Sequence, residues 1–265
     1  MPIREWLGAD GEPLPFKDDE EIKDFLLNAE VTEQEEIPIG VTDPIRMTLE
    51  KDGITAHAVY RYLEIVYPRV RLRGVGVRMN LKDSCKFEAA AYELSRMLGM
   101  DNVPPTVMRR IGRDPGTLQI WVYNAMMESE RLQQEMNPPD RLAYTQQVQM
   151  MYLFDALIGN DDRTQENMLI DKNWKLWLID HTRAFYPRAK SQYLDQVIHV
   201  DRAFWEGLQA LDRASLGDVL DDYLTSSEIN KIMERREPLV ELIQGLIDSR
   251  GEGTVLYDWV PPERQ

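Results

Sequence analysis

Strand-like alternation fills much of the first half of this sequence, and helical periodicity fills most of the second. Ile45-Arg46-Met47-Thr48-Leu49 alternates, Lys51-Asp52-Gly53 is a hairpin turn signal, and Ile54 to Leu63 reads as a second strand carrying Ala56, Ala58, Tyr60 and Tyr62 on one face. A helix follows from Glu88 to Leu98, with Ala91, Leu94 and Leu98 in register; Gly99 stops it and Pro104-Pro105 forbids its resumption. Thr117 to Val122 is another strand, and Asn137-Pro138-Pro139 breaks the chain again. A long helix then runs from about Asp140 to Ile158, with Met150, Leu153, Phe154 and Leu157 as its apolar stripe and Gly159-Asn160 at its end. After a polar loop, Met168-Leu169-Ile170, a turn at Asp171-Lys172-Asn173, and Trp174 to Ile179 form a hairpin. From Leu194 onward the pattern is mostly helical, with Ile229, Ile232, Leu239, Leu242, Ile243 and Leu246 in amphipathic register. No internal repeat interrupts this order. Strands gathered with one helix, then helices gathered around one hairpin, predict an α+β fold of two lobes.

Length and composition narrow the classes of function. The 265 residues suit one large domain or two small ones, and 43% hydrophobic with 29% charged residues is a globular balance. The net charge of −15 disfavours a protein that grips nucleic acid through its phosphates. No apolar run approaches the 18 residues of a membrane span, and Met1 to Trp6 lacks the apolar stretch of a signal peptide. One cysteine, Cys85, excludes an internal disulfide and a cysteine-rich zinc site. His57, His181 and His199 do not have metalloprotease spacing. The expectation is a soluble, cytoplasmic protein with no nucleic-acid or membrane partner.

The charge is unevenly spread. Residues 1–50 hold fourteen acids and four bases, a balance of −10. Asp18 to Glu21 would occupy the first turn of a helix carrying Ile22, Phe25, Leu26 and Ala29, where the macrodipole favours anions. This acid run reads as a solvated helix face. Residues 66–86 are the opposite: Arg69, Arg71, Arg73, Arg78, Lys82 and Lys86 face a single acid, Asp83, for a local +5. Three readings fit that segment: a solvated, mobile insertion, a cationic lining of a cleft, or a contact for an acidic partner.

The loop between the long helix and the hairpin concentrates chemistry. It reads Asp161-Asp162-Arg163-Thr164-Gln165-Glu166-Asn167, and Ile179-Asp180-His181 follows twelve residues later. Phosphoryl transfer from ATP needs a carboxylate near the attacking hydroxyl, an amide oxygen on a metal ion, and a second carboxylate that bridges metal and phosphates. In kinases the first two lie five residues apart on one loop, and the third follows a hairpin. Asp162 and Asn167 are five apart, and two short strands would fix Asp180 relative to both. Read alone, Asp-x-x-x-x-Asn is also what a polar turn capping a helix looks like. His181 reads as a structural residue of the turn, and Trp174 and Trp177 as packing of the hairpin.

The stretch Phe154-Asp155-Ala156-Leu157-Ile158-Gly159-Asn160-Asp161-Asp162-Arg163, with Ile179-Asp180-His181, resembles the atypical kinases: phosphoinositide 3/4-kinases, HipA-type kinases and Golgi casein kinases. Glu88 to Leu94, Leu98-Gly99 and Val103-Pro104-Pro105-Thr106-Val107 are especially similar to the last group. The segment Ile179 to Phe185 looks closer still to uncharacterised bacterial relatives. The resemblance covers roughly residues 20–190 and adds little over the last 75. It implies a two-lobed protein-kinase-like fold: a small β-rich N-lobe with one main helix (residues 1–122) and a larger, mostly helical C-lobe (residues 123–265).

Carried over by position, the resemblance assigns Asp162 as the catalytic-loop base. Asn167 and Asp180 would hold Mg2+ or Mn2+, Glu88 would orient a basic residue on the third strand, and Val122 would lie in a hinge that meets adenine. Gly40, in the turn between the first strands, would let the backbone approach the triphosphate, although one glycine there is equally an ordinary turn residue. Two positions depart from the family pattern. Arg61 stands where such kinases place the phosphate-binding lysine, and a planar guanidinium does not reproduce a compact ammonium. Thr164 replaces the histidine of the common D-R-H variant. Either Arg61 pairs with Glu88 and the phosphates, or Lys82 or Lys86 supplies the ammonium, or catalysis is lost. The resulting expectation is an ATP- and metal-dependent phosphotransferase acting on an unidentified hydroxyl of a protein, sugar, lipid head group or metabolite. The alternatives are a nucleotide-binding pseudokinase and an AMP transferase on the same fold.

Overall fold

The computed structural model describes residues 6–8, 10–37, 44–72 and 75–260. Helix α1 (Asp19–Asn28) leads into strands β1 (Glu30–Glu36), β2 (Ile45–Lys51) and β3 (Ile54–Arg61). A long hairpin, β4 (Glu64–Leu72) and β5 (Gly76–Ser84), precedes helix α2 (Lys86–Met97) and strands β6 (Thr106–Ile111), β7 (Asp114–Ile120) and β8 (Ala125–Met127). Helices α3 (Glu128–Gln133) and α4 (Arg141–Ile158) then lead to the short hairpin β9 (Met168–Asp171) and β10 (Leu176–Leu178). The rest is β11 (Val200–Asp201), α5 (Arg202–Ala210), α6 (Arg213–Leu220), α7 (Ser226–Arg250), α8 (Glu252–Val255) and β12 (Leu256–Tyr257).

Five strands form one antiparallel sheet in the order β1-β2-β3-β7-β6. Alternation decides what each face does. In β2 and β3, Met47, Leu49, Ala56, Ala58 and Tyr60 turn one way and are buried with Ile22, Phe25 and Leu26 of α1 in one apolar cluster. His57, Val59 and Arg61 turn the other way. The sheet is drawn tight at Arg61: a Cβ on Gly116 of β7 would stand 2.4 Å from the Arg61 carbonyl oxygen, so only glycine fits.

A second and larger apolar cluster joins α2, α4, β9–β10 and the C-terminal helices through residues such as Leu94, Leu98, Phe154, Leu157, Leu176, Leu178, Phe204 and Ile232. Helix α2 belongs deep in this packing because Ala89, Ala90 and Ala91, all 0% exposed, let neighbours approach on several sides. Asp140 caps α4 by accepting the Ala143 amide proton at 3.0 Å. Gly159 ends α4 with a left-handed φ of +63°, and its amide donates back to the Asp155 carbonyl. The two clusters interleave along the chain, since α2 packs in the larger one while Trp177 of β10 packs in the first; after residue 124, β8 pairs with β9.

Several expectations hold closely: α1, α2, α4, the β2–β3 hairpin, β9–β10 and the helical C-terminal part are all present. The basic segment, open to three readings in the sequence, takes regular secondary structure. It is a paired hairpin from Glu64 to Ser84, with Leu72 and Leu81 buried against Tyr186. Strands β1 and β6 carry no clear expectation from the sequence. Every residue of β1 except half-buried Val31 is exposed, so pairing with β2 defines the strand and an apolar face does not. Among the described residues no helix is long and apolar enough to cross a membrane.

Candidate functional site

Glu88 is the best-connected carboxylate of the site. It lies on the first turn of α2 with no exposed surface. Its Oε1 accepts the His181 backbone N–H at 2.8 Å, and Arg61 Nε stands 3.7 Å away. Its Oε2 faces His181 Nδ1 at 3.3 Å and the Gln119 amide at 3.5 Å. Burial alone would raise the proton affinity of Glu88, but the Arg61 guanidinium and the His181 donors outweigh it and hold the group at about 2. The sequence expectation that Arg61 and Glu88 meet is therefore realised geometrically. Arg61 is itself buried, and its Nε and Nη1 have no hydrogen-bond partner among the described residues. A buried cation with unfilled donors fits an anionic ligand, since unsatisfied buried groups are costly without one.

His181 is fully buried and links two halves of the site. Arg163 Nη2 lies 3.0 Å from His181 Nε2, and a guanidinium only donates, so Nε2 accepts and Nδ1 donates to Glu88. Arg163 also binds Asp155 through Nε at 3.0 Å and Nη2 at 2.9 Å. Its Nη1 reaches the carbonyls of Asn167 and Ile179, each at 2.8 Å. One arginine thereby ties α4, the loop after it and the far end of the short hairpin. Asn160 completes the turn: its amide binds Asp155 Oδ1 at 2.9 Å, and its oxygen takes the Asp162 N–H at 3.2 Å.

The carboxylates lie at the rim of this framework. Asp162 is partly exposed; its Oδ2 accepts Arg183 Nη1 at 2.9 Å. Burial pushes its proton affinity up, Arg183 pulls it down, and the nearby Asp180 and Asp161 charges push it up again, with a net rise. Asp161 is paired with Arg78 of β5, whose Nε is 2.9 Å away. The Asn167 Nδ2 donates to the Asp162 carbonyl at 3.1 Å, which fixes the amide and leaves its oxygen available. Asp180 follows β10 in a left-handed corner at φ +57°, and its Oδ1 accepts the Thr182 hydroxyl at 3.1 Å. Among the described residues no three His, Cys, Asp or Glu side chains converge in a metal cluster. One amide oxygen and one carboxylate are nonetheless the donor set of a hard cation that takes its other ligands from water and phosphate.

On the opposite side, His57, Val59 and Arg61 share a face of β3. A cavity of about 390 Å³ opens there, lined by Glu33, Gln34, Glu35, Arg46, Thr48 and His57. Tyr123 stacks on His57, with ring centroids 5.7 Å apart, and its hydroxyl bonds His57 Nδ1. Burial pushes the Tyr123 hydroxyl up to about 12. The backbone amide and carbonyl of the adjacent half-buried Val122 make no hydrogen bond to any described residue.

The structure thus joins Arg61 to Glu88, and Asp162 to Asn167, with Asp180 close enough to Asp162 to affect its charge. It does not join Lys86 to them: this first residue of α2 makes no ion pair among the described residues. Lys82 is turned elsewhere, bound to Glu228 of α7 at 2.6 Å, so it supplies no ammonium to the phosphate side in this arrangement. Gly40 lies outside the described residues. His181 has the structural role expected of it, and Trp177 packs against Trp6 with centroids 5.1 Å apart. Asp155, Arg163, Arg78, Asp83 and Arg183 went unassigned in the sequence. A buried Asp inside the apolar stripe of α4 and a lone acid in a basic segment were the signals available for two of them.

No family model matches the chain, and no curated protein matches it in sequence. Solved structures do. Hydra Fam20, determined with sugar, superposes with a TM-score of 0.68 at 15% identity, over 92% of this chain and 94% of that one. The Golgi casein kinase with Mn/ADP bound gives 0.65 at 15% identity, over 92% and 81%. A further structure of the Golgi casein kinase gives 0.66 at 14% identity, over 94% and 80%. The chain has the α+β fold of hydra Fam20 and the Golgi casein kinase.

Proposed function

We propose that the chain is an ATP- and divalent-metal-dependent phosphotransferase acting on a hydroxyl group. The observation that carries this reading is the buried Arg61–Glu88 pair with spare guanidinium donors, set across from a loop that presents Asp162 and Asn167 with Asp180 beside them. The two-lobe division at residue 122 belongs to the same proposal, with the nucleotide lying between the lobes. Its base would sit against the cavity beside His57 and meet the Val122 backbone groups, which bond no described residue. Its phosphates would lie toward Arg61.

Asn167 and Asp180 would hold Mg2+ or Mn2+, an ion that neutralises phosphate charge when bound. The Mn/ADP complex of a fold neighbour, the Golgi casein kinase, supports that choice of ligands. Asp162 accepts the proton of the acceptor hydroxyl. As the acceptor oxygen bonds to the γ-phosphorus, the bond from that phosphorus to the bridging oxygen breaks and ADP leaves with the electron pair. The raised proton affinity of Asp162 suits a group that must take up a proton.

Calorimetry tests the site. Asp180→Ala is expected to abolish metal-dependent ATP binding, and Asp180→Asn, which keeps the left-handed corner, is expected to weaken it strongly. Tight, metal-dependent binding by both variants would sink the assignment. A second reading, nucleotide binding without transfer, is favoured by Arg61 in the lysine position. Transfer of γ-labelled phosphate that disappears in Asp162→Ala decides for catalysis, and label from the α-phosphate would instead indicate AMP transfer.

A further inference from the structure

The carboxylate of Asp162 has one side-chain partner among the described residues, Arg183, and that arginine is itself held from a distance. Arg183 Nε donates to Asp83 Oδ2 at 2.8 Å while Nη1 donates to Asp162 Oδ2 at 2.9 Å. Asp83 is the penultimate residue of the long hairpin and is 1% exposed; its Oδ1 has no hydrogen-bond partner among the described residues. A buried carboxylate with an unsatisfied oxygen is costly, so packing alone does not account for an acid at this position. The adjacent backbone reinforces the link: Ser84 N–H donates to the Thr182 carbonyl at 2.8 Å. On the other edge of the loop, Arg78 of the same hairpin holds Asp161. The hairpin thus grips both consecutive aspartates, one directly and one through Arg183.

We infer that Arg183 is a positioning residue for the transfer, held by Asp83 so that the seating of hairpin β4–β5 sets where the Asp162 carboxylate points. The inference rests on the phosphotransferase reading given above. A guanidinium on a proton acceptor weakens its basicity, so the gain must lie in orientation: Oδ2 is fixed and Oδ1 is left for the acceptor. Catalytic geometry is sensitive enough for this to matter, because displacement by about 1 Å can cost about 10²-fold.

The experiment measures γ-phosphoryl transfer, with water as the acceptor if no other is found, together with calorimetric ATP affinity and the thermal midpoint. Arg183→Ala is expected to lower kcat by about 10²-fold while the nucleotide Kd stays within about twofold, and added guanidinium ion is expected to restore part of the rate. Arg183→Lys should lie between the two. Asp83→Asn should lower kcat in the same direction, and the double variant should be no slower than Arg183→Ala alone, because both act through one link. An unchanged or increased kcat in Arg183→Ala, additive losses, or a parallel loss of ATP affinity would overturn the inference. If the wild-type chain binds ATP yet shows no Asp162-dependent turnover, the phosphotransferase reading falls. A crystal structure of Arg183→Lys or Asp83→Asn then decides the coupling: a rotated Asp162 side chain upholds it and an unmoved one overturns it.

Discussion

In the short hairpin β9–β10, Ile170, Leu176 and Leu178 are at most 3% exposed, whereas in the long hairpin β4–β5 Val66, Val77 and Met79 are 57%, 38% and 45% exposed. Both hairpins bracket the site. The short one separates Asn167 from Asp180, and the long one separates Arg61 from Glu88. Packing holds the first: its inner side chains lie in the large core, and Trp177 closes it from outside. Charge holds the second, through Arg78–Asp161, Lys82–Glu228 and Asp83–Arg183, with only a small apolar cluster around Leu72, Leu81 and Tyr186. Packing fixes distances at nearly constant strength; of the three ion pairs only Lys82–Glu228 has a well-exposed partner and should weaken with salt, while the other two depend on good geometry between largely buried charges. The proposed metal ligands thus flank a hairpin held by packing, and the proposed catalytic carboxylate answers to one held mainly by ion pairs.

Three measurements can break or sharpen this contrast. The largest effect is expected from Leu178→Ala, which empties a fully buried position in the short hairpin and should cost about 2–5 kcal/mol in urea unfolding. A loss under 1 kcal/mol would remove the basis for calling that hairpin rigid. An intermediate effect is expected from acid at Glu88, which follows the long hairpin in the chain and bonds His181 beyond the short one. Its folded proton affinity, about 2, lies below that of an unfolded glutamate, about 4.3. Its stabilising contribution is therefore complete above pH ~4.3 and disappears as pH falls through about 2, a loss on the order of 2–3 kcal/mol. Stability curves of wild type and Glu88→Gln should converge over that window; an unchanged gap would show that the carboxylate does not depend on Arg61 and His181. The smallest effect belongs to Lys82→Met on the long hairpin, below about 1 kcal/mol and vanishing in high salt. A larger, salt-independent loss would mean that this hairpin is also packed in place.

The same contrast explains what could be read from the sequence. Asp162, Asn167 and Asp180 are legible because a helix stop, a loop and a short hairpin fix them through local spacing. Helix α4 is legible from its stripe and its Asp140 and Gly159 ends. In β4, Val70 and Leu72 turn inward between outward Arg69 and Arg71, but Pro68 and the glycine-containing turn interrupt the alternation and the charges dominate the reading. Strand β1 has no apolar face to find. Arg183 could not be assigned because its partner Asp83 lies 100 residues away, and pairing over that distance leaves no mark in local spacing. For the same reason local spacing does not choose between Lys82 and Lys86 as phosphate ligands, whereas the fold places Lys82 on Glu228.

The left-handed corner at Asp180 has a consequence for how such a chain can change over generations. At φ +57° aspartate and asparagine are tolerated, glycine is unstrained, and most other side chains are disfavoured. The backbone therefore narrows the substitutions open to this position before any ligand is considered. A descendant that gives up the carboxylate has two smooth routes, through asparagine or through glycine, and either keeps the corner intact. Loss of the proposed ligation and loss of fold are separable here, so a lineage can retire the chemistry proposed for this site while keeping the scaffold for another use.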